Sequence, residues 1–168
     1  MNALFETIQN SQFAFWLSQG AYPVILTFHS VGLALLVGLL VVIDLRVLGL
    51  APGMPIASLR AFMKVVWIGF WANFASGVLL FCISPEKFYY STMFRFKMSF
   101  IVVGLVLGAV LQRSLLRVGD EYATTLNPST RHRLVAFLSL ACWAAAITSG
   151  RWLAYTTFAD VGIGGVPN

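Results

Sequence analysis

Charge is what this chain has least of. Asp, Glu, Lys and Arg make up 10% of its 168 residues, against 59% hydrophobic, and mean hydropathy is +0.84. So little charge spread between long apolar runs excludes an ordinary soluble domain and marks a polytopic membrane protein. Cysteine is nearly absent too. Cys82 and Cys142 are isolated thiols on different apolar runs and form neither a CxxC pair nor a disulfide. The N-terminus has no basic region followed by a short apolar core and a small-residue cleavage site, so it does not read as a signal peptide. The methionines form no MxxM-type run of the kind a copper permease needs, and no internal or inverted repeat of the transporter type is visible.

Four apolar runs fill most of the chain: 21–43, 62–83, 94–111 and 134–158. Each is about 20 residues, the length that spans a bilayer. The fold class expected is therefore all-α, a four-transmembrane-helix bundle occupying residues 1–168 as a single membrane domain. Residues 1–20 set Phe5, Ile8, Phe13, Phe15, Trp16 and Leu17 among Asn, Gln and Ser, which reads as an interfacial amphipathic helix. Pro52, Gly53 and Pro55 break the chain after the first span, Ser84-Pro85 ends the second, and Asn127-Pro128 precedes the fourth. The third connection, about 113–133, is read as a continuation of the third helix before a turn, and the tail 162–168 as too glycine-rich to fold alone.

The net charge of +5 is a topology signal and not a nucleic-acid footprint. Arg46, Arg60 and Lys64 flank the first connection; Arg113, Arg117, Arg131 and Arg133 flank the third. By the positive-inside rule both connections are cytoplasmic and both termini lie outside. Asp44 and Arg46, at the inner end of the first span, are expected to pair with Arg60, Lys64 or Arg113 as a clamp.

Against this background three ionisable residues stand inside the spans, at His29, Lys97 and Arg151. An ionisable group within a bilayer is costly and by default a functional-site hypothesis. At about 1.5 Å per residue, His29 lies roughly 12 Å, Arg151 roughly 10 Å and Lys97 roughly 5 Å below the same outer edge. Small residues at helical spacing indicate which face packs inward. They are Gly32 beside His29; Gly69, Ser76 and Gly77 in one stripe with Asn73; Gly104 and Gly108 on the face of Lys97; and Ala144 and Thr148, in line with Arg151 and Tyr155. All three ionisable residues are therefore expected to point into the bundle.

A neutral imidazole nitrogen ligates iron, copper or zinc, and a deprotonated amine can also ligate iron. Haem b suits the set. His29 would be an axial ligand and Gly32 would let the porphyrin approach. Arg151 would pair with a propionate, Asn73 and Trp71 would line the site, and Lys97 would be a second metal ligand or a propionate partner. The competing readings are a His29 hydrogen-bonded between helices and a Lys97 that snorkels outward. His132, in Arg131-His132-Arg133, stands a membrane thickness from His29, so one chain cannot supply two histidines to one haem.

Three segments, His29-Ser30-Val31-Gly32, Asp44 to Gly49 and Gly150 to Tyr155, resemble a group of small, uncharacterised four-helix bacterial membrane proteins from about Tyr22 to Tyr155. More distantly the chain resembles the membrane protoporphyrinogen oxidases that hold haem b and the copper-resistance D-like proteins. In the oxidases a His on the first helix and a Lys opening a later helix serve the haem; His29 and Lys97 match them, with Arg95 standing where an aromatic–His context is expected. The resemblance implies a multi-pass protein of a bacterial inner membrane, and the Lys/Arg asymmetry then puts both termini in the periplasm.

The function expected is electron transfer by haem b in the periplasmic half of the bilayer, with a quinone or a periplasmic redox protein as partner. No catalytic residue is assigned, and activity as an enzyme stays open. The rival readings are a non-redox anchor or assembly subunit of a larger complex or homo-oligomer, and a small metal or solute permease. The orientation is directly testable: a reporter fused after Asn168 should be active only when it functions outside the cytoplasm, and cytoplasmic activity would reverse the topology.

Overall fold

The computed structural model describes residues 2–51, 56–117 and 128–159, and all of its regular structure is helical. In chain order the elements are α1 (Asn2–Gln9), α2 (Gln12–Trp16), a π turn (Leu17–Ala21), α3 (Tyr22–Leu48), α4 (Ile56–Ile83), α5 (Pro85–Tyr90), α6 (Thr92–Arg117) and α7 (Thr130–Ala159). Four runs are long and apolar enough to cross a membrane: Gln12–Leu48, Ala61–Ile83, Thr92–Arg113 and Thr130–Leu153. The protein is a multi-pass membrane protein built as an all-α bundle. The tail 162–168 and most of the third connection, beyond the continuation of α6 to Arg117, lie outside the described residues.

Two boundaries differ from the sequence reading. The N-terminal segment does not stay separate up to residue 20: α2 and the π turn run directly into α3, giving one helical run from Gln12 to Leu48. The π turn stands just before Pro23, which cannot donate to the Gln19 carbonyl and whose ring crowds it. A wider turn at that point relieves the crowding without breaking the rod. Only α1 is a distinct surface helix, and it packs on α5, with the buried Phe5 ring 5.1 Å from Tyr89. The second connection, read as a plain loop, contains that short helix α5. At its other end α3 stops on Gly49, whose φ of +87° lets Leu50 N–H reach back to the Leu45 carbonyl at 3.0 Å.

The bundle is two tight pairs, α3 with α4 and α6 with α7, joined along α3 and α7. The first pair crosses at glycines. A Cβ on Gly32 would stand 2.7 Å from the Asn73 nitrogen, and one on Gly69 would stand 2.8 Å from the Leu36 nitrogen, so the two backbones touch. In the second pair the Trp143 ring lies on Gly104, 3.1 Å from where its Cβ would be. The apolar core occupies the half of the bundle away from α5: Leu36, Leu40, Ile43 and Val47 of α3 meet Val66, Leu111, Ala136 and Trp143. Among the described residues α4 and α6 scarcely meet.

The inward face of α7 corrects an expectation. Ala136, Ser139, Trp143, Ala146, Ser149 and Leu153 are buried, whereas Ala144, Thr148 and Arg151 are exposed. Small residues lie on both sides of α7, so small size alone could not select the face; the large Trp143 ring docking on Gly104 does.

Gly32→Leu should destabilise the fold by about 1–3 kcal/mol, because its side chain would meet α4 backbone that cannot yield. Gly38→Ala, with open space at its Cβ, should be neutral or stabilising by up to about 1 kcal/mol. Reversible unfolding in mixed micelles measures both.

Candidate functional site: a cavity at the α5 end

Where α4 and α6 part, the bundle encloses a cavity of about 270 Å³. It is lined by α3, α4, α5, α6 and α7, and its polar residues are His29, Asn73 and Lys97. Its end nearest α5 is roofed by three phenylalanines from successive elements. The Phe81, Phe88 and Phe94 ring centroids lie 5.7 to 6.2 Å apart. Phe70 and Phe74 from α4 and Met98 and Ile101 from α6 form the side walls.

His29 is held by α4. Its Nδ1 lies 3.1 Å from the Asn73 carbonyl oxygen and 3.1 Å from Ser76 Oγ. The Ser76 hydroxyl donates its proton to the Ala72 carbonyl at 2.6 Å, so toward the imidazole it is an acceptor. The Asn73 amide donates to the His29 carbonyl at 2.8 Å and, at 3.5 Å from Nδ1, is too distant to compete for that nitrogen. Two acceptors around Nδ1 place the ring proton there. That leaves Nε2 with a lone pair on a ring that lines the cavity. Gly77 makes room for the ring, since a Cβ there would stand 3.3 Å from Cε1.

Lys97 approaches from α6 and lies flat along α7. Its Cδ and Cε are 3.4 Å, and its Nζ 3.6 Å, from where a Gly150 Cβ would stand. The half-buried ammonium has no hydrogen-bond or ion-pair partner among the described residues, and it is near enough to His29 to act on it electrostatically. An acceptor nitrogen and a cation therefore face one apolar space.

Other expected contacts stand elsewhere. Arg151 is exposed on the outer face of α7 and does not line the cavity. Gly32 is sealed against the α4 backbone, so its missing side chain opens no room for a ligand. Trp71 is on the outer face of α4, 58% exposed, in an aromatic ladder with Phe70 and Phe74. Asn73 lines the cavity, but its amide is spent on the α3 backbone. Among the described residues no three His, Cys, Asp or Glu side chains gather as a metal cluster. His132 is surface-lying, 2.7 Å from Ser129 Oγ, and Cys82 and Cys142 are free.

The clamp expected at Asp44 does not form with Lys64 or Arg113, both of which are exposed; the Arg60 side chain lies outside the described residues. Asp44 is instead 1% exposed beside Ser139, and its Oδ2, Ser139 Oγ and Trp143 Nε1 have no hydrogen-bond partner among the described residues. The roof and the two glycine platforms, Gly77 and Gly150, were not singled out as parts of the site by the sequence. The nearest signal was aromatic density around the second connection.

A multi-pass helical protein with an apolar cavity guarded by one histidine and one lysine is the class the geometry defines. The chain belongs to an uncharacterised family, described as "Family of unknown function (DUF6644)", whose profile matches residues 15–156. No curated protein and no solved structure matches it.

The tautomer is measurable. Nitrogen-15 NMR of labelled histidine should show Nδ1 protonated and Nε2 bare at neutral pH, and Ser76→Ala should preserve that state because the Asn73 carbonyl remains. A protonated Nε2 would overturn the assignment.

Proposed function

We propose that this chain is a membrane-embedded electron-transfer protein that would hold haem b in the cavity at the α5 end, with His29 as the residue that would ligate its iron. The observation that carries the reading is the imidazole: Nδ1 is tied to the Asn73 carbonyl, and Nε2 remains as a lone-pair donor at an apolar cavity. Metal-ligating histidines are characteristically held this way, the second nitrogen fixed by a backbone acceptor that orients the ring and strengthens the ligand. Lys97 would pair as a cation with a propionate or, as a deprotonated amine, ligate the metal, and Phe70, Phe74 and Met98 supply flat or polarisable walls. Gly32, Trp71 and Arg151 take no part. Haem would supply reversible one-electron chemistry, and the chain's own residues would orient it, exclude water and set its surroundings.

Protein purified from cells supplied with haem should show a Soret band. His29→Ala should lose it, His132→Ala should keep it, and Ser76→Ala should weaken retention by up to about tenfold. The reading is refuted by a wild-type protein without the band, or by equal haem content in wild type and His29→Ala.

A further inference from the structure

We infer that the cavity exchanges its occupant sideways with the bilayer, through a mouth between α4 and α6, and that this occupant is a flat, lipid-dissolved molecule carrying an acceptor oxygen for Lys97. The inference rests on the site at His29 and Lys97 proposed above but not on haem as its occupant.

The mouth is identified by residues that both line the cavity and reach the surface of the bundle. They are Phe74 and Val78 on α4, 54% and 47% exposed, and Met98 on α6, 42% exposed. All three are apolar and lie within spans long enough to cross a membrane, so the surface they reach is lipid. Among the described residues the other sides are covered by packed elements. The Phe81, Phe88 and Phe94 rings roof the α5 end, and α1 packs on α5 there. Leu36 floors the cavity above the packed core, and α3 and α7 join behind it. A water-soluble ligand would have to cross the aromatic roof, whereas a lipid-soluble one meets only Phe74, Val78 and Met98.

The interior then restricts the chemistry. An ammonium without a partner among the described residues favours an anionic or carbonyl oxygen, and a bare imidazole nitrogen favours a metal or a hydroxyl proton. The apolar, aromatic walls favour a flat body. A haem, through its carboxylates and iron, and a quinone–quinol head group, through its carbonyl and hydroxyl, share these features.

The test uses the full chain in phosphatidylcholine nanodiscs, with haem or a short-tailed benzoquinone delivered from phosphatidylcholine vesicles. Val78→Trp and Met98→Trp narrow the mouth and should each slow uptake of the bound probe by at least about tenfold, a modest added barrier. Phe81→Ala, which thins the roof, should not accelerate uptake. Independently, a nitroxide on Ile101→Cys in a Cys82→Ala, Cys142→Ala background should collide readily with dissolved oxygen and rarely with a water-soluble nickel complex. The nitroxide reads the cavity even if a tryptophan variant fails to fold.

Uptake unaffected by both tryptophans but accelerated by Phe81→Ala, or a nitroxide open to the nickel complex, would overturn lateral entry and leave the haem reading standing. Mouth-dependent uptake of the quinone with no haem bound would refute the haem reading and keep lateral entry. Binding of neither probe would sink both.

Discussion

The backbone contact between α3 and α4 is the constraint on which the rest depends. Gly32 and Gly69 remove the side chains that would hold the helices apart: a Cβ on Gly32 would stand only 2.7 Å from the Asn73 nitrogen. Within a bilayer such close approach is a principal source of helix association, because burying apolar side chains away from lipid gains little. The crossing fixes the register at which His29, three residues before Gly32, meets Asn73 and Ser76. A helix pair held a few ångströms further apart would leave the imidazole without its carbonyl partner and its tautomer undetermined.

The bundle is packed in one half and hollow in the other, and the two halves have different tasks. Core side chains from α3, α4, α6 and α7 interlock away from α5, which keeps the four helices together. Toward α5, α4 and α6 leave between them a space lined by phenylalanines and closed at its end by three of them. A rigid base and an open top let a site exist without the cavity collapsing, since the crossing angles are set where packing is dense. The polar atoms buried near Asp44, Ser139 and Trp143 lie in the dense half and do not reach the cavity.

Much of the architecture was legible in the chain. Spans of about 20 apolar residues, broken by Pro-Gly-Met-Pro and Ser-Pro signals, mark four crossing helices, because length and hydropathy are local properties. The inward stripes of α4 and α6 were legible as well: Gly69 and Ser76, Gly104 and Gly108 are buried. The stripe on α7 was not. Ala144, Thr148 and Arg151 share a face of small and polar residues, yet so do Ala136, Ser139, Ala146 and Ser149, and periodicity does not rank two such faces.

By itself the sequence determined the class of protein, the number of crossing helices and two of the three ionisable residues that meet. His29 and Lys97 line one cavity as their depths implied, because depth follows from counting residues along a rod. The azimuth of each helix was decided only by the tertiary structure. Which way α7 turns depends on Trp143 finding Gly104 on another helix, and that contact sends Arg151 outward and lays Gly150 beneath Lys97. Rise per residue is fixed by the backbone of one helix; rotation about its axis is fixed by its neighbours.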